Sequence, residues 1–459
     1  KQQRFLDHKS STASTDNTVK RKKKNDSVSD SLISEKDLPI LNLLNEAEKL
    51  LLSKQTSKAK DAFQKLINSN PESPRARFGK AEALNKQSEE EKSNKLLQEC
   101  IQAYGEVAQL QNCPVELKKK TLLLKADRQT FLGHLKAALQ TKLQLAREFP
   151  TDANVVNQLG VGYLYVGKNN KAKQSFERVL QSHPGNGFAL VHLGFITKIQ
   201  GDWKKSIDFL LPGIHTLAEG TQQGKFYFHL GDALHRTNRT EEAKAIYKLG
   251  AERGLFRSKY QRSLYNVERL KSRPYWTAQQ AKVTDYVKKL ESNWKIIRDE
   301  AMKVMDVKKG LFVKEEESLK NTGEWRQFTL FQRGKKEVDC KRVPKTCALL
   351  EQMPNAIGCK RGQIKFSIMM PGTHVWPHTG PTNCRLRMHL GLVIPQTGDG
   401  VRIRCADDIR TWEEGKVLIF DDSYEHEVWQ NAETFRLILI VDVWHPDLSE
   451  REKRNLMPI

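Results

Sequence analysis

Three residues, His378, His426 and Arg436, have the types that a metal-dependent oxidation requires. Neutral imidazole is a common ligand for iron(II), and two histidines with open coordination positions suit a non-heme oxygenase. His378 sits in Pro377-His378-Thr379-Gly380, and His426 closes Asp421-Asp422-Ser423-Tyr424-Glu425-His426. Arg436 follows in the apolar run 435–443. An arginine pointing inward from a core strand is costly unless paired, and a dicarboxylate co-substrate would pair it bidentately. A lone histidine is more often structural than ligating; the ordered set of three turns the argument toward metal chemistry. A second pattern lies between them. Arg385-Leu386-Arg387-Met388-His389-Leu390-Gly391-Leu392 alternates strictly, so Arg385, Arg387, His389 and Gly391 share one face of a strand. That face either meets water or lines a pocket for an anion, and the pattern alone leaves both readings open.

Strands must hold these residues. After Gly310 short apolar runs alternate with Gly, Pro and Asp, and residues 364–370, 386–394, 417–420 and 435–443 read as strands. Several short strands with turn signals predict a β-sandwich or jelly roll. Upstream the texture is helical. Leu159-Gly160 recurs as Leu193-Gly194 and Gly167 as Gly201, both at the 34-residue spacing of a tetratricopeptide repeat. Ala172, Phe176 and Pro184 repeat the offsets of Ala59, Phe63 and Pro71, and Leu230-Gly231 with Ala243 and Tyr247 forms another copy. Such units stack into a superhelix because none buries its apolar face alone. The expected fold class is α+β: a tetratricopeptide-like superhelix over residues 37–270, a helical connector over 271–309, and a jelly roll (double-stranded β-helix) over 310–459. Residues 1–36, rich in Ser, Thr, Asp and Lys, are expected to be a disordered basic tail.

The net charge of +22 favours acidic partners without choosing among them. The run Lys20-Arg21-Lys22-Lys23-Lys24 reads as a solvated charge cluster, and no nucleic-acid partner is expected. No run of about 18 apolar residues suggests a membrane span, and no signal peptide is visible. The chain begins with Lys, so a fragment or processed product is expected, with any membrane-attaching segment upstream. Asn25-Asp26-Ser27 and Asn238-Arg239-Thr240 fit the N-glycosylation pattern, a weak sign of a lumenal location.

Two long stretches, Pro371 onward through His389 and Trp412-Glu413-Glu414-Gly415-Lys416-Val417-Leu418-Ile419-Phe420-Asp421-Asp422, together with Val443-Trp444-His445-Pro446, resemble the catalytic domain of the aspartyl/asparaginyl β-hydroxylase family. The resemblance runs from about Gly323-Glu324-Trp325 to the end, strongly there and weakly in the repeats. It implies iron(II) held by His378 and His426, and 2-oxoglutarate held by Ser367, Arg387, His389 and Arg436. It implies consumption of O2 and hydroxylation of the β-carbon of Asp or Asn in epidermal growth factor-like domains, with succinate and CO2 released. Many members of the wider superfamily place a carboxylate two residues after the first histidine. Gly380 stands there instead, which the family pattern matches with water, and Asp422 would order that water. Glu317 and Lys320 match positions that approach the substrate in the family, Lys320 standing where a relative carries Arg, and the basic strand face through Arg385 and Lys365 suits an acidic partner. Cys340 and Cys347 match a disulfide of the family, in keeping with a location in the endoplasmic reticulum lumen. Cys384 and Cys405 sit in predicted strands and are expected to be buried.

Two other functions fit the sequence: a repeat scaffold with an inert jelly roll, or an oxygenase acting on another acidic protein. Metal-dependent succinate release separates enzyme from scaffold, and oxygen incorporation into a peptide separates the two enzymes.

Overall fold

The computed structural model describes residues 30–305, 310–315, 319–395 and 400–459. It divides into two compact units, the described residues up to Ile196 and those from Thr197 onward. The basic tail cluster and Asn25 lie outside the described residues.

The first unit is helical: α1 (Leu41–Leu52), α2 (Thr56–Ser69), α3 (Pro74–Glu90), α4 (Asn94–Gln109), α5 (Val115–Phe131), α6 (Leu135–Glu148), α7 (Ala153–Tyr165) and α8 (Asn169–Ser182), each packed on the next. Helix α9 (Gly187–Ile199) crosses the boundary between units. Side chains of Ser73, Ser93 and Asp152 accept from the free backbone N–H groups that open α3, α4 and α7. The repeated small and aromatic residues mark where helices nearly touch. A Cβ on Gly160 would stand 2.6 Å from the Phe176 ring, and one on Gly79 would stand 2.2 Å from Phe63. Glycine lets the helix backbone approach the ring, which is fully buried in both cases.

The second unit opens with α10 (Trp203–His215), α11 (Gly224–Arg236) and α12 (Thr240–Glu252). The same contact recurs there, with Gly231 beneath Tyr247. Asn238 is exposed at the turn between α11 and α12. After β1 (Tyr275–Trp276) come α13 (Thr284–Ser292) and α14 (Trp294–Val304). The connector expected to be wholly helical therefore begins as a strand, because Tyr275 and Trp276 pair with Phe420 and Ile419.

Among the described residues twelve more strands follow: β2 (Val313–Lys314), β3 (Lys320–Thr322), β4 (Trp325–Gln332), β5 (Lys335–Lys336), β6 (Gln363–Met369), β7 (Thr373–His378), β8 (Arg385–Val393), β9 (Val401–Cys405), β10 (Asp408–Arg410), β11 (Val417–Phe420), β12 (His426–Gln430) and β13 (Arg436–Trp444). They form two antiparallel sheets. The larger runs β1-β11-β8-β13-β6-β4-β2 with β5 on β4, and the smaller runs β10-β9-β12-β7-β3. The four expected strands are β6, β8, β11 and β13, each within two residues of its expected bounds.

The larger sheet is buried on both faces. Leu386, Met388, Leu390, Leu392, Leu437, Leu439, Val441 and Val443 pack with α13, α14 and the segment 340–356 in one core. Met369, Ile438 and Ile440 turn the other way and join Val375, Ile403 and Val428 of the smaller sheet in a second core. Arg385, Arg387 and His389 alternate with the leucines of β8, so they too face the smaller sheet. A disulfide joins Cys340 to Cys347. Helix α15 (Pro344–Leu350), which carries Cys347, is capped by the Glu300 carboxylate accepting from Lys345 N and Thr346 N. Cys384 and Cys405 are buried.

Candidate active site

β7 and β12 pair antiparallel with His378 opposite His426, and the ring centroids lie 4.1 Å apart. Each ring places Nδ1 against the carbonyl two residues upstream: His378 on Trp376 O at 2.7 Å, and His426 on Tyr424 O at 2.9 Å. A carbonyl only accepts, so Nδ1 carries the proton and the Nε2 lone pair is the ligating group. Burial, and then the neighbouring His378, push His426 well below the ordinary imidazole value. The ring stays neutral, as a metal ligand must. Among the described residues no cluster of three or more His, Cys, Asp or Glu forms a metal cage. The candidate site rests on this histidine pair.

Beside the pair lie cationic and donor groups without partners. Arg436 is 2% exposed, and its Nε and Nη1 have no hydrogen-bond partner. Its guanidinium stacks over the Trp412 ring at 4.4 Å. Burial alone pushes its pKa down to about 9. The Trp412 indole also donates to His389 Nδ1 at 3.2 Å. Because indole N–H is only a donor, the proton of neutral His389 sits on Nε2, and that atom is buried with no partner. Burial, and then Arg436 and Arg387, keep His389 well below its ordinary value. Ser367 is fully buried on β6; its Oγ accepts from Trp325 Nε1 at 2.9 Å, so its own proton is available to an acceptor. Phe420 links the two groups, with its ring 4.9 Å from His389 and 5.2 Å from His426. The expected metal and dicarboxylate residues thus converge in one region between the sheets. Orphaned buried donors call for an acceptor, and the positive charge of Arg436 suits a carboxylate.

The remaining arginines differ. Arg387 donates from Nε and Nη2 to the two carboxylate oxygens of Asp442, at 2.8 and 3.0 Å, and its Nη1 lies 3.4 Å from Asp422. It borders the site already paired. Arg385 is bidentate to Asp422 and also reaches Asp442. Burial would raise the Asp422 carboxyl, but Arg385 and Arg387 outweigh it and hold it below its ordinary value. Asp422, expected to order a water, spends its oxygens on these two cations. It also explains Gly380. A Cβ there would stand 2.5 Å from Asp422 Oδ2, and Gly380 N donates to Asp422 O. The place where a third ligand would arise is filled by the Asp422 carboxylate, so no side chain fits at 380 unless Asp422 moves.

Arg385 and Lys365, expected on a basic face toward substrate, are both buried. Lys365 is paired with Glu315 at 3.1 Å and with Gln327, beneath the Trp325 ring. Lys320 is exposed on β3 and donates to Gly323 O. Glu317 lies outside the described residues. Sequence reasoning missed Trp412, Phe420 and Asp442 as contributors. Asp442 did leave a signal: a single acid inside the apolar run 435–443 needs a cationic partner, and register puts Arg387 opposite it.

Two antiparallel sheets enclosing a histidine pair, behind tetratricopeptide-like helices, define a double-stranded β-helix protein with a repeat region. Residues 291–446 match the family model for aspartyl/asparaginyl beta-hydroxylase, and residues 43–73 and 224–253 match tetratricopeptide repeat models. The chain is 53% identical to the aspartyl/asparaginyl beta-hydroxylases of Mus musculus and Homo sapiens over 429 residues, covering 93% of this chain and 58% and 56% of theirs. It is 41% identical over 123 residues to an ornithine lipid ester-linked acyl 2-hydroxylase of Rhizobium tropici, covering 27% of this chain and 42% of that protein. Residues 291–446 thus form an aspartyl/asparaginyl β-hydroxylase family domain, and the chain spans a little over half the length of the curated relatives named first.

Proposed function

We propose that this protein is an iron(II)- and 2-oxoglutarate-dependent dioxygenase that hydroxylates the β-carbon of Asp or Asn residues in epidermal growth factor-like domains. The observation that carries the reading is Arg436: a buried guanidinium with orphaned donors, beside the orphaned Nε2–H of His389 and the His378–His426 pair. A resident acid would have neutralised Arg436 if the site were only structural. Arg436, with Ser367 and the Nε2–H of His389, would hold the carboxylate of a small dicarboxylate. His378 and His426 would hold iron(II) through Nε2, and Trp412 and Phe420 exclude bulk water around the ligand. The metal with O2 and 2-oxoglutarate supplies the oxidising equivalent for C–H hydroxylation, the co-substrate leaving as succinate and CO2.

The family likeness by itself does not choose a substrate, since a relative matching 123 residues of this chain is named an acyl hydroxylase. The peptide reading draws on the relatives that match the repeats as well. Residence in the endoplasmic reticulum lumen belongs to the same proposal, and the Cys340–Cys347 disulfide supports it. The test supplies iron(II), 2-oxoglutarate and a peptide from an epidermal growth factor-like domain to the full chain. Metal-dependent succinate release with one oxygen atom gained at an Asp or Asn is the expected result. Succinate without peptide oxidation would point to another substrate, and no succinate would leave the scaffold reading.

A further inference from the structure

Residues 257–267, between α12 and β1, bond to the two segments that flank the histidine pair. On one side they hold the loop entering His426. Tyr260 O accepts from Glu425 N at 2.6 Å, Gln261 Nε2 donates to Ser423 Oγ at 2.7 Å, and Arg262 Nη2 donates to Glu425 Oε2 at 2.9 Å. On the other side they hold the loop leaving His378. Tyr265 N donates to Pro381 O at 3.0 Å, Thr382 Oγ1 donates to Tyr265 O at 2.6 Å, and Asn383 bonds both backbone groups of Val267. The chain thus forms a strap with one ligand loop fixed to each end.

Arg262 is the most buried charge of the strap. It is 1% exposed against 9% for Glu425, and its guanidinium lies 3.6 Å over the Tyr247 ring of α12. Glu425 precedes His426 directly and also pairs with Arg404 at 2.8 Å. A displaced Arg262 therefore shifts the backbone at the histidine while leaving the Glu425 charge compensated. We infer that the 257–267 strap, with Arg262 at its centre, positions His378 and His426 at the spacing that metal binding needs. The inference rests on the metal reading above. It makes the last helical hairpin, through Tyr247, part of the support for that pair.

The test titrates cobalt(II) into the full-length chain and follows its visible absorption, with the metal-free melting curve recorded alongside. Arg262→Met keeps the volume and removes the charge. It is expected to weaken cobalt(II) binding about 10–100-fold, the usual range for groups that orient metal ligands, and to shift the absorption band. Arg262→Lys should recover part of both. An Arg262→Met protein with the parent's melting curve, cobalt(II) affinity and band would overturn the inference. If Arg262→Met does not melt cooperatively, Gln261→Leu decides: weaker binding with a shifted band supports the strap, and parent-like binding overturns it. His426→Ala is run in parallel. A parent cobalt(II) spectrum that survives His426→Ala would overturn the metal reading itself, and the inference with it, whereas loss in His426→Ala with full retention in Arg262→Met sinks the strap alone.

Discussion

Arg387 and Arg436 lie on neighbouring strands of one sheet, face the same way and are both largely buried, yet they end differently. Arg387 and its neighbour Arg385 share two fully buried carboxylates, Asp422 and Asp442, in a compact four-charge cluster. Arg436 has an aromatic ring beneath it and orphaned nitrogens around it. A buried charge that is paired inside the chain fixes structure. One left unpaired costs stability and is retained where a ligand completes it. The contrast separates an arginine neutralised within the chain from one whose donors stay open, though both read in the sequence as basic residues in apolar strands.

The largest effect should come from the histidine pair, which stands apart from both arginine regions. His378→Ala and His426→Ala are each expected to abolish turnover under limiting metal, because a site with two protein ligands has none to spare. Near-parental succinate release by either variant would remove that residue from the ligand set. Next comes the paired cluster. Asp442→Ala leaves Arg387 without its bidentate partner and should destabilise the fold by about 3–5 kcal/mol, read by denaturant titration. A loss well under that range would mean that Asp422 alone suffices for both arginines.

Arg436→Met should behave in the opposite sense. Folding stability should hold or rise, since an unpaired buried charge is removed, while 2-oxoglutarate binding weakens by about 2–5 kcal/mol. If stability fell as it does for Asp442→Ala and the KM for 2-oxoglutarate stayed put, the two regions would not differ in kind.

The smallest effect concerns a buried acid bonded at one oxygen only, where Oδ1 accepts from Ser423. Asp421 is fully buried, its Oδ2 has no partner, and burial pushes its carboxyl up to about 8 from an ordinary 3.8. A folded-state value above the unfolded one means that its contribution is fully present below about pH 4 and is lost as pH rises through about 8. Asp421→Asn escapes that loss, so its advantage in melting temperature over the parent should grow between those limits and then level off. A gap that does not change with pH would show that Asp421 ionises alike in both states.

Much of this was legible beforehand because it is periodic or chemically unusual. The 34-residue spacing marked Gly160, which sits under the Phe176 ring, and the alternation in 385–392 marked β8 with its leucines on one side. The strands β1, β7, β9 and β12 escaped because their pairing with distant partners creates them. Gly380 was legible as a missing carboxylate but not as a steric need, since the Asp422 oxygen that fills its place comes from another loop. Arg385 and Lys365 read as substrate-facing because a sequence shows charge without showing its partners.

The sequence by itself determined the residue types of the site and their order along the chain, because two histidines and an inward arginine on strand segments have few chemical uses. It also determined the helical repeats, through a spacing that backbone geometry imposes. Only the tertiary structure decided which cations are neutralised within the chain and which keep unpartnered donors. That decision depends on register: Asp442 falls opposite Arg387, and Met369, with no charge to offer, falls opposite Arg436. Register between distant strands is set by the packing of both sheet faces together.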